Sequence, residues 1–376
     1  MNNAIANFTR EIFIDCQYYP ICGGCDIANI DKSQYQIIKK QLLLEIFNHH
    51  KLLFDYDKIS WQWLNINSRR RVNLHLDNNN NIGFFSKKTN KLIAINYCRI
   101  VNQEINNIIN KLNIFLIKFP KNIIKNIVIT SFDNIIDIII YHQQDLNIKH
   151  RQLLIEFAKI NNCNISANTA NKGKKLINNN IDLIFFSSHN QIFYQNLKII
   201  ANSNVFLQAN QELNIIIANI INHFIDINFN NKKPNLIDLY CGFGNYSFML
   251  ANKCIKITAF EDREDMIEIL NNNARGHNLK ISGYVRDLNQ QPLKNKELQK
   301  ADLIIINPPR NGSISQVKNF VKSQLKEMKI IYISCNPSSF IIDAKIIIAN
   351  GFKLHSLTAI DQFIGSNKFE LLAIFI

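Results

Sequence analysis

Apolar positions along the chain change period several times, and the changes divide it. Residues 32–53 carry them at helical spacing, while the short runs 72–76 and 82–85 alternate as strands do. From about 106 to 201, helical stretches (108–119, 151–161) alternate with β-branched runs (127–130, 136–141, 183–186), the pattern of a small mixed α+β unit. The last third reads differently. A helical pattern at 211–225 leads to a buried-strand run at 236–239, a glycine turn, a helix from about 246, a strand at 256–260 and a helix at 264–277. Further strands are predicted at 301–306, 329–334 and 370–376. Short apolar strands spaced by helices predict an α/β unit with an open, mainly parallel sheet, which takes ligands at the carboxyl ends of its strands. The expected units are residues 1–105, 106–205 and 206–376.

Composition narrows the class of partner. A length of 376 residues suits two or three domains, and 47% apolar with 19% charged residues excludes a disordered or collagen-like chain. The net charge of +14 points to a polyanion, nucleic acid first. No apolar run is long enough for a membrane-spanning helix, and Arg10, Glu11 and Asp15 stand where a signal peptide needs an apolar stretch. A cytoplasmic protein without a membrane partner is expected, and nothing calls for an obligate protein partner. In a reducing compartment, eight cysteines must be explained by metal, catalysis or burial rather than by disulfides. The excess of Asn, Ile and Lys is spread over the whole chain, so runs such as 78–81 carry no functional weight.

Three motifs fall at predicted strand ends. Asp238-Leu-Tyr-Cys-Gly242-Phe-Gly244-Asn245-Tyr246 joins a strand to a helix, where glycines let the backbone approach a ligand and the helix N-terminus favours negative charge. Glu261 ends the next strand, where a carboxylate can accept both hydroxyls of a ribose; the bland alternative is a plain turn and a solvated Glu. Asn307-Pro308-Pro309-Arg310 follows another strand, and its prolines hold the loop extended. It resembles the Asn-Pro-Pro-aromatic signature of amino-methyltransferases, but Arg310 takes the aromatic's place and argues against base stacking there. Ser334-Cys335-Asn336-Pro337 brings a thiol to the same edge. A thiolate there can add to an electrophilic carbon, and a helix N-terminus with nearby cations is expected to lower its pKa.

Cys16, Cys22 and Cys25 lie in one loop with two glycines, and Cys98 stands far downstream. Four thiolates so arranged suit an iron–sulfur cluster or a structural zinc. Zinc usually takes two Cys-x-x-Cys knuckles, so three ligands in one loop and one distant thiolate favour the cluster. A thioredoxin-like pair at Cys22 and Cys25 lacks the βαβ context. Cys163, Cys241 and Cys254 are expected to pack in the core.

Taken together, these residues resemble the RNA 5-methyluridine (uracil-C5) methyltransferases, in particular the 23S ribosomal RNA branch that carries a 4Fe-4S cluster. The resemblance also uses Phe206-Leu-Gln208-Ala-Asn210, Asp287, Gly312 and the stretch from Asp361-Gln362-Phe363 through Glu370, and it covers nearly the whole chain. It implies a Rossmann-like class I methyltransferase domain preceded by an iron–sulfur region and a small α+β central domain. It implies S-adenosylmethionine held by Gln208, Tyr240, Asn245, Glu261, Asp287 and Asn307, and a 4Fe-4S cluster on Cys16, Cys22, Cys25 and Cys98. Cys335 matches the family's nucleophile and Glu370 its base. The chemistry has a physical logic: C5 of uracil is a poor nucleophile until a thiolate adds at C6, and the C5 proton must later be removed.

Three departures from the family pattern matter. Asn307 stands where many members have Asp. Gly365-Ser366-Asn367-Lys368 replaces a His-Thr-x-His stretch, taking imidazoles away from the residues before the base. The residues before Cys16 are too few for the family's RNA-gripping TRAM domain. RNA contacts are then expected from the N-terminal and central regions, with Arg69, Arg70, Arg71, Lys87, Lys88 and Lys91 as phosphate-binding candidates. The rival readings are a transfer RNA uracil-C5 methyltransferase and a catalytically idle RNA-binding iron–sulfur protein.

Overall fold

Two large sheets carry the chain, and the motif residues stand along one edge of the second. The computed structural model describes residues 11–52, 54–169, 182–230, 232–325 and 327–376. Its strands in chain order are β1 (Ser60–Trp63), β2 (Arg71–Leu76), β3 (Ile82–Phe85), β4 (Leu92–Ala94), β5 (Ile124–Ser131), β6 (Ile136–His142), β7 (Cys163–Thr169), β8 (Asp182–Phe185), β9 (Asn190–Tyr194) and β10 (Leu197–Ala201). They continue with β11 (Asn235–Leu239), β12 (Lys256–Glu261), β13 (Ile281–Val285), β14 (Leu303–Ile306), β15 (Lys329–Ser334), β16 (Leu354–Asp361) and β17 (Glu370–Phe375).

The C-terminal sheet runs in the order β1-β16-β17-β15-β14-β11-β12-β13. Every strand is parallel to its neighbours except β17, which lies antiparallel to both β15 and β16. This is the expected Rossmann-like α/β fold. Its central strands are mainly apolar because helices cover both faces, with Asp238 and Glu370 as buried exceptions; β14 and β17 have no exposed residue. The chain starts at β11, builds β12 and β13 on one side, then crosses to β14 on the other. The crevice between β11 and β14 is therefore the topological switch point, where carboxyl-end loops part and leave room for a ligand. Helices begin where the sequence supplies caps. Asn336 accepts from the Ser338 amide, with Pro337 opening the helix Pro337–Ala349, and Asn210 caps Gln211–Asn228.

The other sheet has the order β4-β3-β2-β5-β6-β7-β8. Because β2 pairs with β5 from Arg71 to His75, this sheet runs across the boundary expected near residue 105. The first hundred residues are in fact shared between the two sheets. The helix Lys32–His50 packs on Pro337–Ala349, with Leu43 and Phe47 in the same core as Phe340 and Ile341, and β1 adds a strand beside β16.

Candidate active site

The reversed direction of β17 brings together the two residues expected to be the nucleophile and the base. β15 ends at Ser334, which lies opposite Leu371 in the antiparallel register, so the start of β17 reaches the edge where the parallel strands end. Glu370 therefore stands beside Cys335, although the two are far apart in sequence. Cys335 is half-buried and Glu370 is 1% exposed. Burial and the facing Glu370 carboxylate push the thiol up, and the Arg310 guanidinium, hydrogen-bonded to it, only partly offsets them. The lowered thiol expected at this helix start is thus reversed, because desolvation outweighs the cation. Arg310, read from the sequence only as a misfit to an aromatic signature, is the cation that favours the thiolate. The two loops are tied as well, since the Asn336 side-chain amide donates to the Arg310 carbonyl at 2.9 Å.

Burial raises Glu370 to about 8, more than a partly buried carboxylate would be raised, while a hydrogen bond from the Gln362 side-chain amide acts the other way. That amide also lies 3.5 Å from Gln208 Oε1. A carboxyl whose folded pKa lies above its unfolded value stabilises the fold at low pH, and this contribution is lost as pH rises through the folded value. Glu370→Gln keeps the neutral shape without the ionisation. Its melting temperature is expected to match wild type below about pH 4 and to exceed it increasingly toward about pH 8, by on the order of a few kcal/mol in stability. Parallel melting curves across the pH range check this, and a constant offset would refute it.

The expected cofactor residues line the rest of the edge. Tyr240 follows β11 in the left-handed region (φ 59°), an uncommon conformation for a non-glycine residue and one often found at functional sites. Its hydroxyl is 2.6 Å from Ser313 Oγ, while the Ser313 amide donates to buried Asp343 at 2.6 Å. Gly242 (φ 56°) has nothing within 4 Å of where a side chain would begin, so the turn leaves an open cradle. Glu261 closes one side of it: its carboxylate accepts the Gly242 amide at 3.0 Å, and burial raises it to about 7 with help from Asp262. Behind the turn, fully buried Asp238 accepts from Ser247 Oγ at 2.6 Å and is raised by burial to about 7. Asn245 pairs with Asn214 through two hydrogen bonds of 3.0 and 3.1 Å and accepts the Tyr194 hydroxyl, a contact from the central region that no motif announces. Asp287 caps its own loop after β13 through the Asn289 amide, and the Asn307 amide donates to the Leu239 carbonyl across the switch point. Gln208 is buried, with its carbonyl held by Arg70 Nε at 3.1 Å.

Cys16, Cys22, Cys25 and Cys98 come together around one cavity of about 220 Å³, also lined by Tyr18, Tyr19 and Arg69. The Gly24 amide donates to Cys22 Sγ at 3.4 Å, and the Ile100 and Val101 amides hydrogen-bond Cys98. Among the described residues no three His, Cys, Asp or Glu side chains converge as ligands of a single ion would. Of the phosphate-binding candidates, Arg70 is withdrawn into the interior, while Arg69 and Arg71 are partly buried. Arg69 lies between Cys98 and Cys25, Arg70 is 3% exposed near Asp133, and Arg71 donates to the Val205 carbonyl at 3.0 Å. Each guanidinium donates to a backbone carbonyl: Arg69 to Arg71, Arg70 to Gln208 and Arg71 to Val205. Lys87, Lys88 and Lys91 are exposed, with Lys87 paired to Asp26.

The profile of the tRNA (uracil-5-)-methyltransferase family matches residues 66–374. The chain belongs to this family. It is accordingly an RNA (uracil-5-)-methyltransferase, and the amino-methyltransferase reading of Asn307–Arg310 falls. It is similar to the 23S rRNA (uracil(1939)-C(5))-methyltransferase of Haemophilus parainfluenzae, at 27% identity over 98% of this chain and 83% of that protein. The corresponding Aliivibrio fischeri enzyme is 25% identical over 96% of this chain and 81% of its own length. Among solved structures, Pyrococcus abyssi tRNA (uracil-54, C5)-methyltransferase in complex with S-adenosyl-L-homocysteine shares the fold: TM-score 0.74, 18% identity, covering 95% of this chain and 86% of that one.

Proposed function

We propose that this methyltransferase modifies uracil C5 in 23S ribosomal RNA through a covalent bond between Cys335 and C6. The observation that carries the reading is the facing of Cys335 and Glu370 that antiparallel β17 brings about. Cys335 Sγ adds to C6, and the electron pair moves to C5, making it nucleophilic. S-adenosylmethionine supplies the methyl group to C5 from its sulfonium. Glu370 then takes the C5 proton, the C5–C6 double bond re-forms, and Cys335 leaves as thiolate beside Arg310. A carboxylate raised to about 8 is a stronger base than an ordinary one, which suits this last step. The open turn at Gly242, with Glu261, Tyr240, Asn245, Asp287, Asn307 and Gln208 around the same edge, fits the cofactor. Exposed Lys88 and Lys91 remain as phosphate contacts, and the cytoplasmic location expected from the sequence goes with a ribosomal substrate. Incubating the protein with in-vitro transcribed 23S ribosomal RNA or transfer RNA and S-adenosylmethionine, then mapping 5-methyluridine, tests the reading. Methylation confined to transfer RNA would replace it with the transfer RNA branch, and no product on either would overturn 23S ribosomal RNA as the substrate.

The four-cysteine cavity supports a 4Fe-4S cluster on Cys16, Cys22, Cys25 and Cys98. A cubane takes one thiolate per iron and so needs sulfurs spread around a cavity, whereas zinc needs them on one point. Amide donors to Cys22 and Cys98, and the neighbouring Arg69, would hold thiolate charge there. Anaerobically purified protein is expected to contain about four irons per chain, and Cys25→Ser to lose the brown chromophore. Stoichiometric zinc without iron would overturn the assignment.

A further inference from the structure

The segment from Asp361 to Phe369 joins β16 to β17, starting next to Gln362 and ending at Glu370. Two side chains one turn apart on the helix Lys32–His50 hold it. Lys39 is 0% exposed, and each direction of its ammonium group meets a part of this segment: Asp361 Oδ1 at 2.8 Å, the Ser366 carbonyl at 2.9 Å and the Lys368 carbonyl at 2.6 Å. Its ammonium also lies over the Phe369 ring, 4.3 Å from the centroid. The Tyr35 hydroxyl donates to Asp361 Oδ2 at 2.7 Å and accepts the Gly365 amide at 3.0 Å. Residues at i and i+4 share a helix face, so Tyr35 and Lys39 act together on the same segment.

A buried ammonium is costly unless it is paired and hydrogen-bonded, and this one directs two hydrogen bonds and an ion pair at a single connection. The cost would be needless if the connection only linked two strands. Its first side chain after Asp361 is Gln362, whose amide donates to Glu370, and its last residue before β17 packs on Lys39. Displacing Asp361 therefore moves both the hydrogen-bond partner of Glu370 and the backbone that carries Glu370.

We propose that Tyr35 and Lys39 are positioning residues that clamp the 361–369 connection, fixing Gln362 and Glu370 for removal of the C5 proton. The proposal rests on the base role assigned to Glu370. Neither residue touches Cys335, and the segment they grip carries Glu370 and not the thiol, so their effect falls on removal of the C5 proton far more than on the addition of Cys335 or on methyl transfer.

The test is single-turnover kinetics with in-vitro transcribed 23S ribosomal RNA and methyl-labelled S-adenosylmethionine, comparing wild type, Tyr35→Phe, the charge-neutral pair Lys39→Met with Asp361→Asn, and Glu370→Gln. Tyr35→Phe keeps the ring in place and guards against failure of the double variant to fold. Adduct formation and label transfer should run at the wild-type rate in the clamp variants. Decay of the methylated adduct should slow by about tenfold, less than the loss of the base itself because a displaced general base retains part of its effect. A merely structural role would lower the melting temperature without separating these steps. Wild-type decay in both clamp variants, with decay blocked in Glu370→Gln, overturns the clamp alone. Prompt release by Glu370→Gln overturns the base assignment and the clamp with it, and absence of any wild-type adduct overturns the proposed function and both.

Discussion

Cys335→Ala is expected to abolish turnover, with a loss on the order of 10⁶-fold if nucleophile removal here resembles that in other covalent catalysts. Affinity for S-adenosylmethionine should stay close to wild type, since the proposed cofactor residues stand at the ends of β11, β12, β13 and β14 or, for Gln208, before the helix Gln211–Asn228, and none follows β15. RNA carrying 5-fluorouridine should form a denaturation-resistant adduct with wild type and none with the variant. After methyl transfer the fluorine cannot leave as a proton does, so the adduct cannot collapse. Full activity in Cys335→Ala would remove Cys335 from the mechanism. Partial activity would also be informative. It would mean that the sheet edge positions uracil and cofactor well enough for transfer without a covalent step.

Glu370→Gln is expected to trap the enzyme on ordinary uridine RNA. Addition and methyl transfer do not use this carboxylate, so both should proceed. Collapse of the adduct should fall by roughly 10²- to 10⁴-fold, the usual contribution of a general base. The nearest candidate replacement is poor: Arg310 is a cation and cannot accept a proton at working pH. A covalent protein–RNA species retaining the label on a denaturing gel is the expected readout. Quick release of methylated RNA would show that water or another group removes the proton.

Much of the candidate site was legible because local rules made it so. The buried run before Gly242, the glycines, the acid ending the next strand and the Asn336–Pro337 helix start are short-range features, and strand, turn and cap chemistry reads from adjacent residues. The parallel strands with two covered faces are apolar runs, which is why β11, β12, β14 and β15 lay close to where the pattern put them. The seven-stranded sheet was harder. Its N-terminal strands resemble a separate unit until β2 is seen to pair with β5, and hydrogen bonding between distant strands leaves no local mark.

By itself, the sequence determined the α/β class, the order of the strand-end motifs and the identity of the groups able to react, since these depend on spacing and residue type. Tertiary structure alone decided how those groups behave. Arg69, Arg70 and Arg71 look like a phosphate-binding cluster on paper, yet Arg70 turns inward to the Gln208 carbonyl and its neighbours are partly buried on backbone carbonyls. Cys335 sits at a helix start that should favour the thiolate, yet burial and Glu370 raise it. Lys39 falls within an ordinary helical stretch, and only the meeting of that helix with the 361–369 connection makes it a buried clamp. In each case the deciding quantity is desolvation or a long-range partner, set by which surfaces come together and invisible to spacing along the chain.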